Sequence, residues 1–231
     1  MDWLTLPRTP EPEVMESADE VEVYSSAAAQ RYLDAIDNTL VDHIARLGGA
    51  SGRLLDVGCG PGNIALKIAR RWPGVRVVGV DFSQNMILAA RAAAASQQLT
   101  ARTDFLAGDA KKLPFPDGAF DFVLSNSVLH HLQDPLGMLD EMARVVKPGG
   151  IVLLRDLRRP GRLICPWHVR WYGRHYSGLM KKLFTDSVRA AYTGEELTRM
   201  LQASGLAVAR VFYHERTHLG FVYDGRGKGA S

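Results

Sequence analysis

The 231 residues carry 28 Lys and Arg against 25 Asp and Glu, a formal charge of +3, with 46% hydrophobic and 23% charged residues. This balance excludes a disordered or collagen-like chain, and no apolar run approaches the roughly 20 residues that a membrane-spanning helix needs. The N-terminus lacks the basic-then-apolar order of a signal peptide, and Cys59 and Cys165 are the only cysteines, so a cytoplasmic protein with reduced thiols is expected. Pro7, Pro10 and Pro12 among several acids make residues 1–20 an extended arm. A helical region follows over 21–46, where Tyr32, Ile36, Leu40 and Ile44 form an apolar stripe at i+4 spacing.

Alternation then sets in. The pattern predicts strand 53–58, helix 62–71, strand 75–80, helix 83–96, strand 103–107, strand 120–125, helix 134–145 and strand 150–156. Strands alternating with helices imply an α/β fold, a parallel sheet covered on both faces, with ligands beyond the carboxyl ends of the strands. Asp56, Asp81, Asp109, Asn126 and Asp156 all fall at or just after such ends and should converge on one crevice. Further on, Thr193-Gly194-Glu195-Glu196 is a capping box that opens a helix over 195–203, and Gly205 ends it. Two alternating stretches, 206–213 and 217–223, read as an antiparallel hairpin.

The densest chemical signal is Leu54-Leu55-Asp56-Val57-Gly58-Cys59-Gly60-Pro61-Gly62, an apolar strand running into a glycine-rich turn and a helix. Such a turn brings backbone close to a nucleotide-like ligand at a helix N-terminus. A second strand ends at Asp81, near the spacing at which doubly wound folds bind ribose. A nicotinamide oxidoreductase is the rival reading, but the glycines read G-x-G-x-G, and Asp56 before the loop would repel pyrophosphate. A cationic cofactor without phosphate suits both acids better.

These residues, with Phe105-Leu106-Ala107-Gly108-Asp109-Ala110, the run Leu113 to Leu124 and Val145-Val146-Lys147-Pro148-Gly149-Gly150, resemble the class I S-adenosylmethionine-dependent methyltransferases over about residues 53–157. The similarity is to the small-molecule branch that includes quinone and sugar methyltransferases. It implies a Rossmann-like doubly wound sheet of seven mostly parallel strands with a C-terminal antiparallel hairpin. It also implies one domain over 1–231, with arm and lid helix in 1–50 and a helical cap insertion at about 157–192. By the same resemblance Gly58, Cys59 and Gly60 line the cofactor loop beside Asp56, and Asp81 takes the ribose hydroxyls. Asp109 and the Ala110 N–H meet the adenine, Asn126 lies near the transferred methyl, and Tyr24 sits where relatives carry an aromatic lid. Phe82 and Met86, one helical turn apart, are placed to sandwich the adenine.

Methyl transfer needs few catalytic groups beyond a positioned nucleophile and a base for its proton. His130 follows Asn126, and Asp156 ends the neighbouring strand; the resemblance assigns a histidine and an aspartate at these places to an acceptor hydroxyl. The expected activity is S-adenosylmethionine-dependent methylation of a small molecule, yielding S-adenosylhomocysteine, with oxygen preferred over nitrogen, carbon or sulfur; a non-catalytic cofactor-binding regulatory or membrane-docking protein is the remaining alternative. From Arg155 to Arg189 nine basic residues face two acids, an excess of +7. Trp167, Trp171, Tyr172, Tyr176, Leu179, Met180 and Leu183 fall at helical spacing there, which predicts an aromatic, basic amphipathic helix. That helix suits a lid, an anionic or aromatic acceptor, or contact with a membrane surface. Nucleic acid is not expected, since the Asn-Pro-Pro-Tyr and Pro-Cys signatures of base methylation are missing. No His or Cys spacing suggests a metal.

Overall fold

A computed structural model describes residues 4–11 and 27–226. Helix α1 (Ala27–Arg46) precedes β1 (Arg53–Val57), α2 (Asn63–Arg71), β2 (Arg76–Asp81), α3 (Gln84–Ser96), β3 (Thr103–Ala107), β4 (Phe120–Asn126), α4 (Leu136–Val145) and β5 (Val146–Leu157). Then come α5 (Cys165–Tyr172), α6 (Gly178–Ala190), α7 (Gly194–Gln202), β6 (Arg210–His214) and β7 (His218–Asp224). The seven strands lie in the order β3-β2-β1-β4-β5-β7-β6. Strands β1 to β5 pair in parallel, and β7 runs antiparallel to both β5 and β6. The doubly wound sheet with its terminal hairpin is therefore as the sequence implied.

Alternate strand residues enter two separate cores, which explains why the strands read as continuous apolar runs. Leu54, Val77, Phe122, Leu124 and Leu153 pack against α1, α2 and α3. Their neighbours Leu55, Val78, Val123, Val152 and Leu154 turn to the other face and meet Met138, Leu139 and Met142 of α4 and Leu197 and Leu201 of α7. Each such fully buried aliphatic chain contributes about 1.5–3 kcal/mol. A one-residue slip of any strand would exchange its two faces, so the register is strongly specified.

Three expectations change in detail. Strand β5 begins at Val146 rather than at 150; Phe120 pairs with Val146 and Phe122 with Ile151, so Lys147 to Gly150 bulge out where a plain turn was expected. The first strand of the hairpin starts at Arg210, because Leu206 is drawn into the second core and Ala209 N–H closes a turn on its carbonyl at 2.8 Å. The single amphipathic helix expected in the cap is two helices. A short turn over Gly173–His175 and the left-handed Gly178 (φ 52°) separate α5 from α6 and break the helical register. As a result Trp167 and Trp171 stand 72% and 61% exposed, while Tyr176 and Met180 turn inward. No helix among the described residues is long and apolar enough to cross a membrane.

Candidate functional site

The turn after β1 is held by backbone geometry and one carboxylate. Gly58, Gly60 and Gly62 have φ of 72°, 52° and 81°, a region costly for residues with a Cβ. Gly58 and Cys59 N–H donate to the Val80 carbonyl at 2.7 and 3.0 Å, tying the turn to β2. A Cβ on Gly58 would meet Val128 at 2.2 Å, whereas one on Gly60 would meet nothing within 4 Å. Packing therefore needs glycine at 58, and at 60 the small residue leaves open space on the cavity wall. Asp81 accepts from Gly60 N–H at 2.8 Å through one oxygen and from Ser83 N–H at 2.9 Å through the other, joining the turn to the start of α3.

One cavity beyond the strand ends is lined by Asp56, Gly58, Cys59, Gly60, Asp81, Phe82, Met86, Asp109, Ala110, Asn126 and His130, so of the five strand-end residues expected to converge Asp56, Asp81, Asp109 and Asn126 do and Asp156 does not. Tyr24 lies outside the described residues. Asp56 is 2% exposed, and its Oδ2 finds no hydrogen-bond partner among the described residues. Burial, reinforced by the neighbouring Asp37 and Asp81 charges, pushes its pKa up to about 7. Burial likewise raises Asp81, partly offset by the two N–H donors, and drives the Cys59 thiol well above its ordinary range, leaving it unreactive. Phe82 is exposed at the mouth and Met86 buried below it. Asn126 Oδ1 accepts from Arg155 Nε at 2.8 Å. The next residue, Ser127, takes a positive φ of 57°, strain stored where β4 meets the cavity.

On the other side of the cavity, a short turn at Leu129–His131 carries paired imidazoles. His130 Nδ1 and Asp156 Oδ1 are 2.5 Å apart, and Asp156 Oδ2 accepts from His130 N–H at 3.1 Å. Asp156 does not reach the cavity; it sits behind His130 and fixes the ring. Burial opposes the imidazolium, but the Asp156 carboxylate, with a smaller contribution from Glu11 at the other ring nitrogen, outweighs burial and raises the His130 pKa. The Asp156 carboxyl is held below its usual range for the converse reason: His130 offsets the cost of its burial.

Chain, cavity and fold can then be set beside known proteins. Residues 55–154 match the methyltransferase-domain family. A demethylmenaquinone methyltransferase of Thermus thermophilus is 35% identical over 169 residues, covering 69% of this chain and 76% of that enzyme. The chain belongs to the S-adenosylmethionine-dependent methyltransferases. Two relatives of higher identity, one of them the ajmaline N-methyltransferase of Rauvolfia serpentina at 39%, match over only 39% and 34% of their own lengths. An S-adenosylmethionine-dependent methyltransferase structure from Aquifex aeolicus superposes with a TM-score of 0.64 at 19% identity, over 90% of this chain and 98% of that one, a likeness of fold.

The residues of this methyltransferase fit a cationic cofactor. A buried carboxylate with an orphaned oxygen faces a cavity that also holds Asp37 and Asp81, and a ligand bearing a sulfonium and an ammonium supplies the missing charge. Asp37 was missed in the sequence, where it looks like one more polar position on α1; burial raises its pKa to about 6. Arg155 was counted with the basic cap but is fully buried, bonded to Asn126, the Ile36 carbonyl and Thr39. None of the nine basic residues between Arg155 and Arg189 lines the cavity, so they do not build a clamp for an anionic acceptor, one of the alternatives the sequence left open beside a lid. The cap instead contributes Tyr172, Tyr176, Met180, Leu183 and Phe184. His131, next to the expected base, and His218 of β7 also line the cavity. Burial lowers the His218 pKa to about 3, which keeps it neutral.

Proposed function

We propose that this methyltransferase acts on an apolar or aromatic small molecule carrying a hydroxyl group, with His130 as the base and Asp156 as the residue that orients it. S-adenosylmethionine, when bound, supplies an electrophilic methyl group. Asp56 would neutralise the cofactor's ammonium end, Asp81 would hold the ribose, and Asp109 with the Ala110 N–H would meet the adenine. Phe82 and Met86 would flank that ring, with Asn126 beside the methyl, while Gly58, Cys59 and Gly60 form the wall. The short contact from Asp156 to His130 Nδ1 carries this reading, because it engages that nitrogen and leaves Nε2, which lies 3.4 Å from Glu11 Oε1, as the one to take up a proton. The aromatic and aliphatic cap residues favour a planar, apolar acceptor over a charged one.

Transfer to carbon is the second reading, supported by the similarity to a demethylmenaquinone methyltransferase, whose name points to a quinone. A ring hydroxyl deprotonated at His130 would activate an adjacent ring carbon as well as its own oxygen, so both readings use the same base. Incubation with labelled cofactor and a panel of hydroxylated aromatics and reduced quinones tests them, with product analysis locating the methyl. His130→Ala should lower kcat roughly 10²–10⁴-fold and leave cofactor affinity unchanged in calorimetry. Full activity in that variant removes His130 from the reaction.

A further inference from the structure

The paired histidines have a third companion. Residues 4–11 of the N-terminal arm lie across the cap, anchored by Arg162 N–H on the Leu4 carbonyl at 2.8 Å and by Thr9 N–H on the Arg189 carbonyl at 3.1 Å. Arg8 reaches further in: its Nε donates to the Ala190 carbonyl at 2.6 Å, and its Nη2 to the His130 and Leu132 carbonyls, both at 2.9 Å. These bonds deliver Glu11 to the imidazoles. Its Oε1 lies 2.9 Å from His131 Nδ1 and 3.4 Å from His130 Nε2. The three side chains offer one donor atom each, all within 4.8 Å of one another.

We propose that Glu11, His130 and His131 form a binding site for a divalent transition-metal ion, with zinc as the reference ion. A tetrahedral ion bound at about 2.0–2.1 Å holds its donors about 3.3 Å apart, close to the 2.9 and 3.4 Å from Glu11 to the two imidazoles, while the two histidine nitrogens, within 4.8 Å, would have to close up by a side-chain rotation. Two imidazoles and one carboxylate are a borderline donor set that suits zinc, cobalt or ferrous iron and leaves coordination positions open. Asp156 completes the arrangement from behind. Its bond to His130 Nδ1 fixes the tautomer that presents Nε2 as a ligand, the carboxylate–histidine–metal pattern of many metal centres. The charges agree as well: Glu11 and Asp156 stand at opposite nitrogens of one buried ring, with the Arg8 guanidinium as the neighbouring cation. A divalent ion balances the two carboxylates without requiring an imidazolium.

His130 and His131 line the cofactor cavity, so the open positions face the space assigned to the acceptor. An acceptor hydroxyl bound to the ion would lose its proton to water through coordination, in place of abstraction by Nε2. The metal site itself does not depend on that step or on the acceptor reading, because it is measured in the resting protein.

The experiment uses the untagged full chain, stripped with chelator and titrated with Co²⁺, followed by displacement with Zn²⁺. The expected result is one equivalent of bound cobalt with the visible bands of a low-coordinate site, bleached by one equivalent of zinc. Glu11→Gln and His131→Gln should each abolish those bands with folding intact by circular dichroism. Asp156→Asn should weaken binding roughly 10–100-fold, and His214→Gln, a histidine that bonds Thr39 instead, should change nothing. No stoichiometric cobalt bands in the wild type, or unchanged bands in both ligand variants, overturns the proposal. These results are read without any methyl transfer, so the metal site can fail while the proposed methylation stands.

Discussion

Asp56 shows how one buried carboxylate serves binding at the expense of stability. Its pKa of about 7 in the cofactor-free protein exceeds the ordinary 3.8, so between those values the folded state holds a proton that the unfolded chain releases. Stability therefore falls as pH rises through that interval, and above pH 7 the full cost is present. Asp56→Asn should raise the melting temperature of the cofactor-free protein at pH 8, with the gain vanishing near pH 4. The same variant should weaken S-adenosylmethionine binding by about 1.5–3 kcal/mol, the worth of a charge-assisted hydrogen bond; unchanged calorimetric affinity would remove Asp56 from the ammonium site. His130 and Asp156 carry the opposite sign. A raised histidine stabilises fully below its unfolded value of 6.5 and loses that contribution as pH rises through its folded pKa. A depressed carboxyl stabilises above its unfolded 3.8 and loses the contribution as pH falls through its lower folded value. Both are complete between 3.8 and 6.5. Thermal denaturation across pH should then show Asp156→Asn destabilised by about 3 kcal/mol near pH 5, with the gap to wild type narrowing at alkaline pH.

At the level of elements, the glycine turn separates folding from binding. Gly58→Ala forces a methyl against Val128 at 2.2 Å as well as a left-handed conformation, whereas Gly60→Ala incurs only the second penalty. Urea denaturation should show a loss of about 1–2 kcal/mol for Gly60→Ala and a distinctly larger one for Gly58→Ala. Calorimetry should show Gly60→Ala losing most of its cofactor affinity, because the added carbon enters the cavity; equal affinity would place the cofactor away from this wall. The turn and the strands around it were legible because their signals are local: apolar runs, glycines, and acids at strand ends. The cap was not. Helical spacing carries the eye from Trp167 to Leu183 as though the axis were continuous, and nothing in that count reveals that Gly173 and Gly178 end one helix and restart another. The same break accompanies a cap whose basic residues lie outside the cavity while the aromatic residues beyond it turn in.

For the molecule as a whole, the unreadable part of the site is the part assembled from distant chain. Glu11 and His130 lie 119 positions apart, and Arg8 and Leu132 lie 124 apart; prolines and acids in the arm mark it as extended but not where it docks. His130 and Asp156 were readable because consecutive parallel strands bring their carboxyl ends together, a rule of topology that says nothing about an arm preceding the sheet. Docking depends on the Arg8 fork, which bonds three carbonyls and stacks 4.2 Å over the Tyr192 ring, while Tyr192 itself donates to the Leu132 carbonyl at 2.9 Å. Arg8→Ala leaves those partly buried carbonyls short of a donor and should cost about 2–3 kcal/mol. For a chain of this size that is roughly 5–10 °C in calorimetric melting temperature. Hydrogen exchange should accelerate at Ala191 and Tyr192 but not in β1 or β2, since the described arm residues bond to the cap and to the turn after β4. Arg8→Lys should recover less than half of the loss, because a single ammonium cannot replace a planar fork that serves three acceptors and an aromatic face together. Full recovery by lysine would mean that charge alone docks the arm and that the bonding pattern at Ala190, His130 and Leu132 contributes little.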